Sequence, residues 1–232
     1  MYFIDTTGTA CPSGVGVPQP GAQLPAAPIA YNPALLQTDG VTPYNMCVLK
    51  GFPTTLAKSS TAFPFGLWFA NPTTLYVADE GDGTHTFANG TYTDAAAQTT
   101  AGLQKWVFGN GQWDLAYTLQ SGLNLGTPYT VPGYPTGNNA LTELPWSPAT
   151  DGLRNITGRV NHDGTATVYG ITSTVSGSGD QGADPNRLVA VTDRLSATSS
   201  GAETFHTLRT AKFGEVLRGV SFTPGPGRSG DH

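Results

Sequence analysis

The sequence has little charge. Only 12% of its 232 residues are charged, and 11 basic against 16 acidic side chains give a formal net charge of -5. Lysine and arginine form no cluster, so the chain offers no stripe of positive charge that would release counterions from a nucleic-acid backbone. We therefore expect no nucleic-acid partner.

Long apolar runs are also missing. A helix that spans a bilayer needs about 20 mostly apolar residues, and no such run occurs, so we expect no transmembrane segment. The first five residues, Met1 to Asp5, contain neither the basic nor the apolar region of a signal peptide. If the protein is exported, its signal peptide has already been removed.

Cysteine is scarce. The two cysteines, Cys11 and Cys47, are too few for a disulfide-dense scaffold or a zinc ribbon. One disulfide between them would suit an oxidising compartment. Two unpaired thiols are the alternative.

The residues that are abundant are typical of strands and turns. Thirty glycines and eighteen prolines make up about a fifth of the chain. Long helices prefer Ala, Leu, Glu, Lys and Arg, whereas Thr, Val and Tyr favour strands. The composition therefore predicts an all-β protein.

Two groups of four strand signals follow one another. The first group, a blade over residues 63–119, has strands at 66–70, 74–79, 102–108 and 112–119. The second, a blade over residues 153–209, has strands at 153–160, 165–172, 186–192 and 203–208. Turn residues such as Asn71-Pro72 and Gly109-Asn110-Gly111 separate the strands. Each group therefore predicts a four-stranded antiparallel meander.

Incomplete copies of the same unit flank the two blades. Residues 1–58 predict a half-blade, with strands at 1–6 and 46–57 around a long proline-rich loop. Residues 215–223 predict the first strand of a further blade, and residues 224–232 a tail. The three predicted first strands each contain a glycine, at Gly66, Gly158 and Gly219.

The repeat predicts a single propeller-like domain over residues 1–232. Closed β-propellers have four to eight blades, and this chain holds about three, so we expect a partial propeller or one that is completed by other copies. Open sheet edges recruit further strands, which favours a homo-oligomer or filament. A β-sandwich is the alternative fold.

Several segments resemble those of a known group of proteins. The strand Leu75-Tyr-Val-Ala-Asp79 is similar to the strand signature of NHL-type propeller repeats. The region from Phe63 to Pro224 resembles the C-terminal half of uncharacterised, secreted bacterial propeller-like proteins. This resemblance implies a propeller fold and export to the periplasm, cell surface or medium, and it brings no catalytic residues.

Two groups of side chains are candidates for ligand binding. Asp79, Glu80 and Asp82 lie in a glycine-rich turn and supply the oxygen ligands that calcium prefers, although an exposed turn explains the same residues. Calcium is the one cofactor to consider. Aromatic side chains in the insertion after residue 119 are candidates for binding carbohydrate or another subunit; they are Tyr129, Tyr134 and Trp146.

No arrangement of residues identifies an enzyme. The sequence contains no GxSxG nucleophile motif. Asn89-Gly-Thr91 is a glycosylation sequon. We expect an extracellular, non-enzymatic β-scaffold that self-associates through open blade edges, with a secreted hydrolase or lyase acting on sugars or phosphate esters as the alternative.

Overall fold

Strands dominate the chain. The computed structural model describes residues 2–4, 46–48, 51–52 and 62–223. Their elements, in chain order, are β1 Tyr2–Ile4, β2 Met46–Val48, β3 Pro64–Asn71, β4 Thr74–Asp79, β5 Phe87–Ala88, β6 Thr91–Tyr92, α1 Thr93–Ala97, β7 Gly102–Gly109, β8 Gln112–Leu119, β9 Ala149–Val160, β10 Thr165–Val175, β11 Arg187–Arg194 and β12 His206–Thr210. The all-β prediction is confirmed.

The chain separates into two compact units. The first comprises residues 1–58 and 106–115, and the second residues 59–105 and 116–232. In the first unit, β1 and β2 pair antiparallel, as predicted for the two N-terminal strands. Its described side chains include an aromatic group in which the ring centroids of Phe52 and Trp106 lie 4.1 Å apart and those of Phe108 and Trp113 lie 5.5 Å apart.

The first four-stranded sheet has the order β3-β4-β7-β8. Strand β4 is buried along its whole length, whereas β3 is an edge strand whose alternate residues are exposed. Leu67 of β3 pairs with Val77 of β4, and Phe69 pairs with Leu75. Since paired residues share one face of a sheet, an apolar face runs from the buried β4 to the exposed β3.

The second four-stranded sheet has the order β12-β11-β10-β9. Its three pairings are antiparallel. Both predicted meanders are therefore confirmed, and the turn at residues 161–164 joins β9 to β10 as the turn at residues 72–73 joins β3 to β4.

The two sheets share one hydrophobic core within the second unit. Tyr76 and Leu103 from the first sheet and Val168 and Val191 from the second belong to a single buried cluster. Adjacent propeller blades and the layers of a sandwich both pack face to face in this way. The structure therefore gives four-stranded antiparallel sheets, and a partial propeller, or one completed by other copies, stays a prediction.

Two of the three glycines in the predicted first strands, Gly66 and Gly158, lie where β3 and β9 approach closely. A Cβ atom on Gly66 would lie 2.4 Å from the carbonyl oxygen of Arg154, and one on Gly158 would lie 2.6 Å from the ring of Trp68. Any side chain at these positions would clash. Glycine is therefore required for the observed spacing of the two strands.

The segment predicted as a further first strand is not a strand. Residues 215–223 form no regular element, and nothing lies within 4 Å of a Cβ atom on Gly219. Asparagine side chains bind the backbone instead: Asn186 Oδ1 accepts a hydrogen bond from Leu217 N, and Asn155 Nδ2 donates to Arg218 O. Its likeness to the first strands of the two blades predicted a strand, but no neighbouring strand pairs with it.

Candidate functional site

The turn after β4 places its three carboxylates in different surroundings. The side chain of Asp79 is buried, that of Glu80 is half-buried and that of Asp82 is exposed. Asp79 accepts hydrogen bonds from Phe63 N, Gly81 N and Gln104 Nε2 at 2.8–3.0 Å. Its carboxylate is therefore directed into the protein.

The other two acids of this turn bind separate partners. Glu80 Oε2 lies 2.7 Å from Arg154 Nε in an ion pair. Asp82 Oδ1 accepts hydrogen bonds from Thr84 N and from Gln98 Nε2. Among the residues that the structure describes, no three His, Cys, Asp or Glu side chains are grouped as a metal site. The calcium site stays a prediction.

A fourth carboxylate, Asp151 at the start of β9, completes the cluster. It is buried, and its Oδ2 accepts hydrogen bonds from Gly83 N at 2.9 Å and Gln181 Nε2 at 2.7 Å. Its Oδ1 accepts a bond from Gln98 Nε2 at 2.9 Å. Because Gln98 also binds Asp82, one amide group joins two carboxylates.

Burial decides the ionisation of this cluster. It raises the pKa of Asp151 to about 7 from the ordinary 3.8, although three hydrogen bonds to the ionised form oppose the change. Burial raises the pKa of Asp79 as well. A carboxyl group with a pKa near neutrality exchanges protons in the physiological range, as a general acid does.

A glycine makes the compact turn possible. Gly81 has a φ of 83°, in the left-handed region. A Cβ atom at this position would lie 2.4 Å from the carboxyl carbon of Asp151. The sequence indicated the acidic turn, but it gave no sign of Asp151, which lies 69 residues beyond Asp82.

The predicted aromatic residues anchor the insertion rather than project from it. Tyr129, Tyr134 and Trp146 are half-buried. The hydroxyl of Tyr129 donates to Pro185 O at 2.8 Å, and the hydroxyl of Tyr134 donates to Asp184 Oδ1. Both hydroxyls are therefore used within the chain. Binding of carbohydrate or of another subunit by these residues stays a prediction.

Two further sequence predictions concern single residues. Asn89 is exposed with a φ of 52°, in the turn between β5 and β6, and its glycosylation stays a prediction. Cys11 lies outside the described residues, so its disulfide with Cys47 also stays a prediction.

A buried ionic network lies between the two sheets and was not predicted. Lys105 Nζ lies 3.0 Å from Asp193 Oδ2, and both side chains are fully buried. Tyr117 donates to Asp193 Oδ1 at 2.6 Å, and Tyr76 donates to Oδ2. Lys105 also donates to two backbone carbonyl groups, those of Arg194 and Ala197.

The network is saturated with hydrogen bonds. Burial and the bond to Asp193 raise the pKa of Tyr76 and of Tyr117, so both phenols stay protonated donors. Lys105 lies on the same face of β7 as the buried core residue Leu103. Because a buried lysine needs a partner, its place on this face of the predicted strand could have indicated the network. Each of the four side chains of this network therefore has a partner within the chain.

No family model, no curated protein and no solved structure matches the chain. The resemblance to propeller repeats therefore stays a prediction. Among the described residues, no helix has the length and apolar character needed to cross a membrane.

Proposed function

We propose that this protein is an extracellular, non-enzymatic β-scaffold that self-associates through the exposed edge of its first sheet. The observation that carries this proposal is the apolar face of β3. Phe65 and Leu67 stand at alternate positions of this edge strand, and each is 49% exposed. Exposed apolar patches mark interaction surfaces.

The size of this patch suggests its place in an interface. These two half-exposed side chains leave on the order of 200 Å² of apolar surface. A standard interface buries roughly 800 Å² on each partner. The patch on β3 would therefore form the apolar centre of a larger contact with a second copy.

The arrangement of β3 and β9 supports a propeller-like assembly. Gly66 lies against Arg154 of β9, and Trp68, two residues further, lies against Gly158. The two strands therefore run in the same direction, as the first strands of neighbouring propeller blades do. Further copies would extend the array.

Measurement of the mass in solution tests this proposal. The full chain is compared with Leu67→Lys by light scattering after size exclusion over a range of concentrations. We expect the wild type to form oligomers and Leu67→Lys to be monomeric, because a buried lysine would remain unpaired. The control is Leu141→Lys, at a side chain that is 90% exposed, which should assemble as the wild type does.

A monomeric wild type at high micromolar concentration would overturn the proposal. Equal oligomers in the wild type and Leu67→Lys would exclude β3 as the contact. Folding of each variant is checked by circular dichroism, so that loss of assembly is not confused with unfolding.

A hydrolase or lyase is the second candidate, and the pKa of Asp151 favours it. A carboxyl with a pKa of about 7 is suited to proton transfer to a leaving group. However, Asp151 is fully buried and accepts hydrogen bonds at both oxygens. A screen of sugar and phosphate ester substrates with and without calcium decides this point, and turnover that Asp151→Asn abolishes would favour the enzyme.

A further inference from the structure

A small cavity lies beside the ion pair of Glu80 and Arg154. Its volume is about 80 Å³, which is enough to hold several water molecules. Apolar side chains line one part, including Phe65, Ile171 and Leu217. Two arginines, Arg154 and Arg218, line the other. We name this cavity the arginine pocket.

The two guanidinium groups converge on one point. The position of a Cβ atom on Gly182 would lie 2.3 Å from Arg154 Nη1 and 3.4 Å from Arg218 Nη1. The two nitrogens are therefore no further apart than the sum of these distances. Because Gly182 has no side chain, the guanidinium group of Arg154 can occupy this space.

The protein holds the side chain of Arg154 and the backbone of Arg218 in place. Arg154 Nε donates to Glu80 Oε2 at 2.7 Å, and its guanidinium carbon lies 4.7 Å from the ring centroid of Phe65. The backbone of Arg218 is bound by Asn155, whose Nδ2 donates to Arg218 O at 2.6 Å. Positions fixed in advance reduce the cost of ordering when a ligand binds.

Only one of the two arginines pairs with a carboxylate among the described residues. Glu80 pairs with Arg154, whereas no ion pair of Arg218 is formed within this part of the chain. The carboxylate of the nearby Asp180 accepts a hydrogen bond from Gly182 N. The two guanidinium groups carry like charges at a short distance, and they repel each other unless an anion lies between them.

We propose that the arginine pocket binds the oxyanion of a small amphipathic ligand, a carboxylate or a phosphate ester. Guanidinium groups bind both anions through paired N–H donors. The walls formed by Phe65 and Leu217 contact the carbon atoms next to the charged group. This site needs no second copy, although its wall residue Phe65 also belongs to the apolar face of β3.

NMR titration of the full chain tests this site. The probes are acetate and methyl phosphate, with neutral acetamide as the control ligand, and the readout is the amide signal of Gly182. We expect saturable shifts with at least one anion and none with acetamide. The anion that binds more tightly identifies the ligand class.

Two substitutions locate the binding. Arg218→Gln removes an exposed charge, and Gly182→Ala places a methyl group against Arg154. Each should raise the dissociation constant about tenfold, since charge-assisted hydrogen bonds are lost. The matched control is Arg159→Gln, which removes an exposed charge at the far end of β9 and should change the constant less than about twofold.

Two results would contradict the proposed anion site. Absence of saturable shifts with both anions would overturn the proposal. Equal weakening by Arg218→Gln and Arg159→Gln would show diffuse attraction to surface charge instead of a site. Because Arg218 is exposed, its replacement tests the pocket even where Gly182→Ala fails to fold.

Discussion

The buried carboxyl of Asp151 predicts that the protein loses stability as the pH rises. Its pKa is about 7 in the folded chain against 3.8 in its ordinary state. Between these values the folded state binds more protons than the unfolded state, so the free energy of unfolding falls with increasing pH. The stabilisation is complete below pH 3.8 and is lost as the pH passes through about 7.

The size of this effect follows from the difference in pKa. Each pKa unit corresponds to about 1.4 kcal/mol. Between about pH 5 and pH 8 the contribution of Asp151 falls by roughly 2–3 kcal/mol. The pKa of Asp79 is also raised by burial, so its contribution has the same sign and remains after Asp151 is replaced.

Urea unfolding at a series of pH values measures this effect. We compare the wild type with Asp151→Asn and with the control Asp114→Asn, which removes an exposed carboxylate of β8. The slope with pH is the decisive quantity, because asparagine also replaces one acceptor by a donor opposite Gly83 or Gln181. We expect a smaller slope in Asp151→Asn and an unchanged slope in Asp114→Asn.

A wild type that gains stability between pH 5 and pH 8 would refute the reasoning. So would equal slopes in the wild type and Asp151→Asn. Either result would mean that the three hydrogen bonds to the carboxylate outweigh its burial, and that Asp151 is ionised throughout this range.

Three further substitutions test the packing of the second unit. Lys105→Met should cost about 3–5 kcal/mol of unfolding free energy, because it leaves a buried carboxylate without its cation, whereas Lys212→Met on the surface should change little in the same urea assay. Gly158→Val should lower the midpoint of thermal unfolding through a loss of about 1–3 kcal/mol, whereas Gly109→Ala, with no atom within 4 Å of its Cβ position, should not. Asp184→Asn should increase cleavage of residues 129–146 in limited proteolysis, because hydroxyl groups that donate hydrogen bonds to the Asp184 carboxylate bind an amide less strongly. An unchanged cleavage rate would contradict the role of Asp184 in anchoring this segment.

Local signals were sufficient to predict most of the strands. The limits of β4 and β8 coincide with the predicted residues 74–79 and 112–119, since turn residues mark both ends of each. The likeness of residues 215–223 to the first strands of the two blades was misleading, because a strand also needs a partner, and partners are not visible in a local pattern. The short helix α1, in the insertion before β7, was not predicted either.

The candidate sites were predicted less well because their residues come from distant parts of the chain. Asp79 and Asp82 were visible as neighbours, but Asp151 and Gln181 join them only through folding. The arginine pocket likewise combines Arg154 and Arg218, 64 residues apart. Spacing along the sequence carries no information about such contacts.

The placement of polar groups bears on the choice between scaffold and enzyme. The pair Lys105 and Asp193, with two tyrosines, lies inside the shared core, where unmatched polar groups are costly and a matched set disfavours other pairings of the sheets. Leu67, by contrast, is exposed on β3, at the edge of the first sheet. The self-association proposed above would bury this side chain in the contact with a further copy, whereas the groups of the ionic network already have their partners inside one chain.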